Sequence, residues 1–137
     1  MKHINPRAIL FGCVADIAST TLFSLTFGMI TTFRAILRGV DAEAANQALV
    51  AWSSTTPGIA FSLFFGLFFT GVGGYVAAHV AKNGTLINSG FVGSLGILLG
   101  LFFLHASPLI VTIVSLALSI PVALLGGYLR TSSWKLF

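Results

Sequence analysis

The stretch PGIAFSLFFGLFFTGVGGYVAAHVA, residues 57–81, holds no Asp, Glu, Lys or Arg. A helix needs about 20 apolar residues to cross a hydrocarbon core about 30 Å thick, so this stretch predicts a membrane-crossing helix. Residues 8–33, 86–105 and 108–129 repeat the pattern, and Asp16 is the sole charged residue in any of the four. The composition agrees: 56% of residues are hydrophobic, 7% are charged, and the mean hydropathy is +1.00. A soluble domain carries about 25% charged residues, and this chain has too few to cover a water-facing surface. The reading is an all-α, integral membrane four-helix bundle forming one domain over residues 1–137.

The helix starts are marked. Asn5-Pro6, Thr56-Pro57 and Ser107-Pro108 each place a capping side chain before a proline, the pattern of an N-cap followed by proline at the first helical position. The third helix lacks this signal, and Thr85 or Asn88 is its candidate cap.

An even number of spans puts both termini on one side. Lys2, Arg7, Lys82, Arg130 and Lys135 fall on that side, and Arg34 and Arg38 on the other. By the positive-inside rule the richer side is cytoplasmic, giving both termini inside and a bacterial inner membrane as the expected location. Trp52 near the outer end and Trp134 near the cytoplasmic end suit interfacial belts. The basic residues act as orientation signals at the span ends. They form no stripe interleaved with aromatics, which argues against nucleic acid as a partner.

Two of the connections are short: residues 105–107, and residues 82–85 with the Asn83-Gly84 turn signal. The outer loop, residues 34–56, is long. Asp41 can cap a short helix there that runs to Trp52. Val40, Ala44, Ala48, Leu49 and Trp52 would share its apolar side, opposite Glu43, Asn46 and Gln47. Such a helix lies on the membrane surface or docks over the bundle mouth as a lid.

A short internal repeat runs through the chain. Ile4-Asn5 opens the first helix and Ile87-Asn88 the third, while Gly73-Gly74-Tyr75 ends the second and Gly126-Gly127-Tyr128 the fourth. Two helices per half make the repeats parallel.

Small residues recur every four positions. The first helix reads Ala8, Gly12, Asp16, Thr20, Ser24, Gly28, Thr32; the second Gly66, Thr70, Gly74, Ala78; the fourth Ser115, Ser119, Ala123, Gly127. The third carries Gly96 and Gly100, with Ser89 and Gly93 beside them. Positions four apart line one ridge of a helix, and small ridges let membrane helices approach closely where lipid supplies no hydrophobic drive to associate.

Asp16 lies about 15 Å into the first helix at 1.5 Å per residue, near mid-bilayer. A charge there costs a few kcal/mol or more. Three readings stand: a structural hydrogen bond, with Thr20, Thr70 or Tyr75 as partner; contact with another subunit; or a proton or cation site.

Catalytic patterns are missing. The histidines, His3, His79 and His105, lie at different depths, and no His-Glu-x-x-His, Gly-x-Ser-x-Gly or P-loop pattern occurs. The lone Cys13 cannot form an intrachain disulfide. The expectation is a protein that is not an enzyme and uses no metal or other cofactor.

The run Gly73-Gly74-Tyr75-Val76-Ala77-Ala78-His79-Val80-Ala81, the later Gly90-Phe91-Val92-Gly93, Val14-Ala15-Asp16-Ile17, and the segment from Pro121 to Tyr128 together resemble a group of small, uncharacterised bacterial four-helix membrane proteins with Gly-Gly-aromatic helix ends. The resemblance covers roughly residues 8–130. It implies the four-helix topology and supplies no activity. The expected function is association in the bilayer, as accessory subunit of a membrane complex or as homo-oligomer. The alternatives are a small proton- or cation-linked carrier or channel using Asp16, and a lipid-binding membrane protein.

Overall fold

A computed structural model describes residues 4–102 and 109–133. Over these residues the chain forms five helices and no strand: α1 (Pro6–Ile36), α2 (Ala42–Ser53), α3 (Thr56–Ala81), α4 (Thr85–Phe102) and α5 (Leu109–Ser133). Three helical stretches, Pro6–Ile36, Thr56–Ala81 and Val111–Ser132, are long and apolar enough to cross a membrane, and Thr85–Leu101 is a shorter apolar one. Those three are compatible with a membrane protein. The 105–107 connection, the Ser107-Pro108 start signal, His3, His105, Lys2, Trp134 and Lys135 lie outside the described residues.

Local chemistry sets the helix ends. The Asn5 side chain accepts from the Arg7 and Ala8 N–H groups at 3.1 and 3.3 Å, satisfying donors that have no partner inside the helix. Asp41 accepts from the Glu43 N–H at 3.1 Å and starts α2. At α3 the cap is Thr55 and not Thr56. The Thr55 hydroxyl donates to the Trp52 carbonyl at 2.6 Å and accepts from the Gly58 N–H at 3.3 Å. This holds Thr55 in an extended conformation outside the helix. Between α3 and α4 the turn needs left-handed backbone at Gly84 (φ 63°), and Lys82 also takes φ 56°, a conformation that costs a non-glycine residue about 1–3 kcal/mol.

Asn88 is inside α4 and caps nothing. It is fully buried. Its Oδ1 accepts from the Asn5 N–H at 2.8 Å, and its Nδ2 donates to the Gly84 carbonyl at 2.8 Å. The two asparagines of the internal repeat therefore meet and tie the start of α1 to the start of α4.

Helix α3 is the hub and packs against α1, α2, α4 and α5. The packing is tightest toward its C-terminal half, where backbones nearly touch. A Cβ on Gly12 would sit 2.7 Å from the Gly73 carbonyl oxygen, 2.7 Å from Val92 Cγ2 and 2.8 Å from Ala77 Cβ. One on Gly74 would collide with the Ala123 carbonyl, and one on Gly126 with the Gly71 carbonyl. One on Gly127 would collide with the Ser89 hydroxyl, which itself donates to the Gly74 carbonyl at 2.7 Å. One on Gly93 would lie 2.8 Å from Ile120 Cα. Dispersion across such contacts is small per atom pair but adds up along a ridge.

The other half of α3 is held by rings. Phe23 and Phe27 of α1 meet Phe61, Phe65 and Phe69 of α3, with Phe23 and Phe65 centroids 4.2 Å apart and Phe27 and Phe61 4.9 Å apart. Trp52 of α2 closes on Phe61 at 5.6 Å and Phe27 at 5.8 Å. Helix α2 is thus docked against α1 and α3. Its packed side is Ala45, Leu49 and Trp52, with Val40, Ala44 and Ala48 exposed. Of the anticipated apolar face Leu49 and Trp52 do pack inward, while Ala45 replaces Ala44 and Ala48 there, because the Trp52 ring, wedged between Phe27 and Phe61, fixes the helix rotation.

Candidate functional site

Asp16 sits where the two kinds of packing meet. Its Cβ lies 2.9 Å from the position a Cβ on Gly73 would take. The Thr70 hydroxyl donates to Asp16 Oδ2 at 3.2 Å and also lies 3.1 Å from the Gly66 carbonyl. The Thr20 hydroxyl, one turn along α1, donates to Asp16 Oδ1 at 3.5 Å. Both carboxyl oxygens are therefore engaged, one across the α1–α3 contact by a buried threonine. Tyr75 does not join them: it is 41% exposed, because the 3.6-residue period turns it away from the Thr70 and Gly74 ridge.

Beside Asp16 lies a cavity of about 290 Å³. Thr20, Ser24 and Gly28 of α1, Ser62 and Gly66 of α3, and the aromatic cluster line it, with α2 at one side through Leu49, Trp52 and Ser53. Thr20 belongs to both the cavity wall and the Asp16 pair, so the carboxyl reaches the cavity through one hydroxyl. Trp52, expected in an interfacial belt, is part of this wall.

The glycine ladders divide along the molecule. Gly12, Gly74, Gly93 and Gly127 make close helix contacts, and Gly100 faces Leu116 Cδ2 at 3.1 Å. Gly28 would meet only Leu49 Cδ2 at 3.8 Å, and Gly66 and Gly96 would meet nothing within 4 Å. Gly66 opens onto the cavity, which is why its ridge makes no contact there. Sequence reasoning missed three close approaches, at Gly58, Gly73 and Gly126. The paired Gly-Gly-Tyr repeat was the available signal for the last two, since adjacent glycines offer two helix faces at once.

Among the described residues no three His, Cys, Asp or Glu side chains gather to hold a metal ion, and no buried side-chain nitrogen or oxygen lacks a hydrogen-bond partner. Comparison with protein families, with curated proteins and with solved structures finds no match for this chain.

Proposed function

We propose that the chain is an integral membrane protein with four spans and both termini cytoplasmic, and that it acts by association, as accessory subunit or homo-oligomer, with no enzymatic step. One observation carries the association reading. Ser24, Gly28 and Thr32 continue the α1 ridge of Ala8 and Gly12, yet they line an open groove walled by α1 side chains alone. In lipid a small-residue ridge is useful only against another helix. One flank of Ser24 and Gly28 faces α2 and α3 across the aromatic cavity, but the flank that lines this groove meets no other helix among the described residues. The basic-residue asymmetry supports the orientation.

The test is crosslinking in native membranes. With Cys13→Ser as background, Ser24→Cys is expected to give an oxidative adduct with a second copy or another protein, and Ile17→Cys, off that ridge, is expected to give none. A protein that stays monomeric and partner-free in both variants, and in native mass spectrometry from mild detergent, overturns the reading.

A second reading follows from the hydroxyl link between Asp16 and the cavity: a proton- or cation-linked carrier or channel. Asp16→Asn preserves shape and hydrogen bonding but cannot exchange a proton. It is expected to abolish a pH-dependent cation flux in liposomes while leaving the circular dichroism spectrum unchanged. Equal flux in wild-type, variant and empty liposomes removes this reading.

A further inference from the structure

At the end of the molecule opposite α2 there is a second cavity, of about 480 Å³, where the C-terminal ends of α3 and α5 meet the N-terminal end of α4. Its wall is made by Ala78, His79, Lys82, Thr85, Arg130 and Thr131. The Arg130 Nε–H donates to His79 Nδ1 at 2.8 Å. That bond links α3 to α5 and fixes the guanidinium at the wall. The chain has three acidic side chains in all. Asp16 lies within α1, and Asp41 and Glu43 belong to the α2 end, so no acidic side chain lines this cavity.

Lys82 and Arg130 have a simpler explanation in part. Cations suit the negative ends of α3 and α5 and orient a membrane protein. Neither effect calls for a cavity, for an arginine braced by a histidine, or for the start of α4 in the same wall. Thr85 is the first residue of α4, and the first-turn N–H groups and dipole of a helix favour an anion. Lys82 reaches the wall from a left-handed backbone position that a lysine does not adopt without cost.

We propose that this cavity binds a phosphate-type oxyanion, with Arg130 as the planar donor, Lys82 as the mobile charge, His79 as the brace that orients Arg130, and the start of α4 as the neutral donor surface. Arginine suits the geometry of a phosphate and lysine serves as a point charge. The anion is either a free phosphate or the phosphodiester of an anionic lipid headgroup, which basic pockets between helices at the cytoplasmic face are suited to hold. Only the lipid source depends on the membrane reading of the preceding section.

The experiment uses the full chain, delipidated in neutral detergent. Thermal unfolding is followed against inorganic phosphate, phosphatidylglycerol and phosphatidylcholine, with chloride at matched ionic strength as blank. Phosphatidylglycerol is expected to raise the midpoint and phosphatidylcholine to leave it unmoved. Stabilisation by inorganic phosphate as well shows that the soluble anion fits; stabilisation by phosphatidylglycerol alone assigns the headgroup. Lys82→Gln and Arg130→Gln are each expected to weaken the apparent affinity about fivefold, at about one basic residue's contribution each. Arg7→Gln, a basic residue outside the cavity wall, serves as control and is expected to change affinity less than twofold. His79→Phe is expected to weaken binding while Lys82→Gln leaves the ligand-free midpoint in place, so that loss of binding is separable from loss of fold. The proposal is overturned if neither phosphate source stabilises the protein beyond chloride, or if Arg7→Gln weakens binding as much as Lys82→Gln.

Discussion

Gly74→Val is expected to cost the protein its folded bundle, whereas Gly66→Val, two turns earlier on the same ridge, is expected to leave it intact. At Gly74 the added carbons would enter the space of the Ala123 backbone, with the Ala123 Cα 2.9 Å from the new Cβ. Backbone cannot swing aside as a side chain can, so α3 and α5 must separate along the contact. Overpacking a well-filled core costs about 1–3 kcal/mol, and more where nothing yields. Separation here would also strip the Gly126 to Gly71 approach and the Ser89 hydrogen bond to the Gly74 carbonyl. The expected loss therefore lies at or above about 3 kcal/mol. At Gly66 nothing lies within 4 Å of the new Cβ, and the expected change is within about 0.5 kcal/mol. Unfolding of the purified protein by denaturing detergent checks the pair. Equal midpoints for the two variants would mean that α3 and α5 do not pack through Gly74.

The second large effect is expected at Asn88. Asn88→Leu puts a bulkier apolar side chain at a fully buried position and strands the Asn5 N–H, which now makes a 2.8 Å bond to Asn88 Oδ1, while the Gly84 carbonyl keeps only its bond from the residue-88 backbone N–H. A buried polar group left without its partner costs about 1–3 kcal/mol. The loss should be local at first. With Asn5 released, the capping bonds to Arg7 and Ala8 weaken and the first turn of α1 frays. Hydrogen exchange should therefore accelerate at the α1 N-terminus in Asn88→Leu while the α3–α5 contact keeps its protection. Asn83→Ala, in the exposed turn before α4, is the control and is expected to leave that exchange unchanged. Unaltered protection at Arg7 and Ala8 in Asn88→Leu would contradict the role assigned to this residue.

Much of the fold was legible because the relevant signals are local. Asn5-Pro6 and Asp41 name their own helix starts, since a cap needs only a side chain and the next three N–H groups. The apolar runs give the long helices α1, α3 and α5 and the shorter α4, and the ridge Ser119, Ala123, Gly127 does face inward in α5. Partner identity was less legible. The spacing that marks Gly12 and Gly74 also marks Gly66 and Gly96, and only the course of a second helix decides which ones touch. Asn88 reads as a helix cap by sequence and becomes a tether because Asn5, 83 positions away, is brought beside it. The candidate site was legible at Asp16, Thr20 and Thr70, where polar residues stand out against an apolar helix. Tyr75 was misplaced because one residue of helical phase turns a side chain by about 100°. The basic cavity could not be read from the sequence at all. Its residues are brought together from the ends of three helices, and Lys82 and Arg130 each alone look like an orientation signal.

The contrast between the two ends of α1 has a mechanical consequence. Near Gly12 the helix is pinned, backbone against backbone, to Gly73. Beyond Phe27 its contacts are with α2 and with ring faces, which slide more readily than interlocked backbones. Helix α1 is therefore gripped hard at one end and held by softer contacts along the rest. Ile36 lies about 36 Å from Gly12 along the axis at 1.5 Å per residue, so a tilt of about 10° at Gly12 would carry the tip through about 6 Å. Helix α2 follows that tip in the chain and packs on both α1 and α3, so such a tilt would have to slide the Phe23 and Phe27 rings over α3 and move α2 against the aromatic cavity.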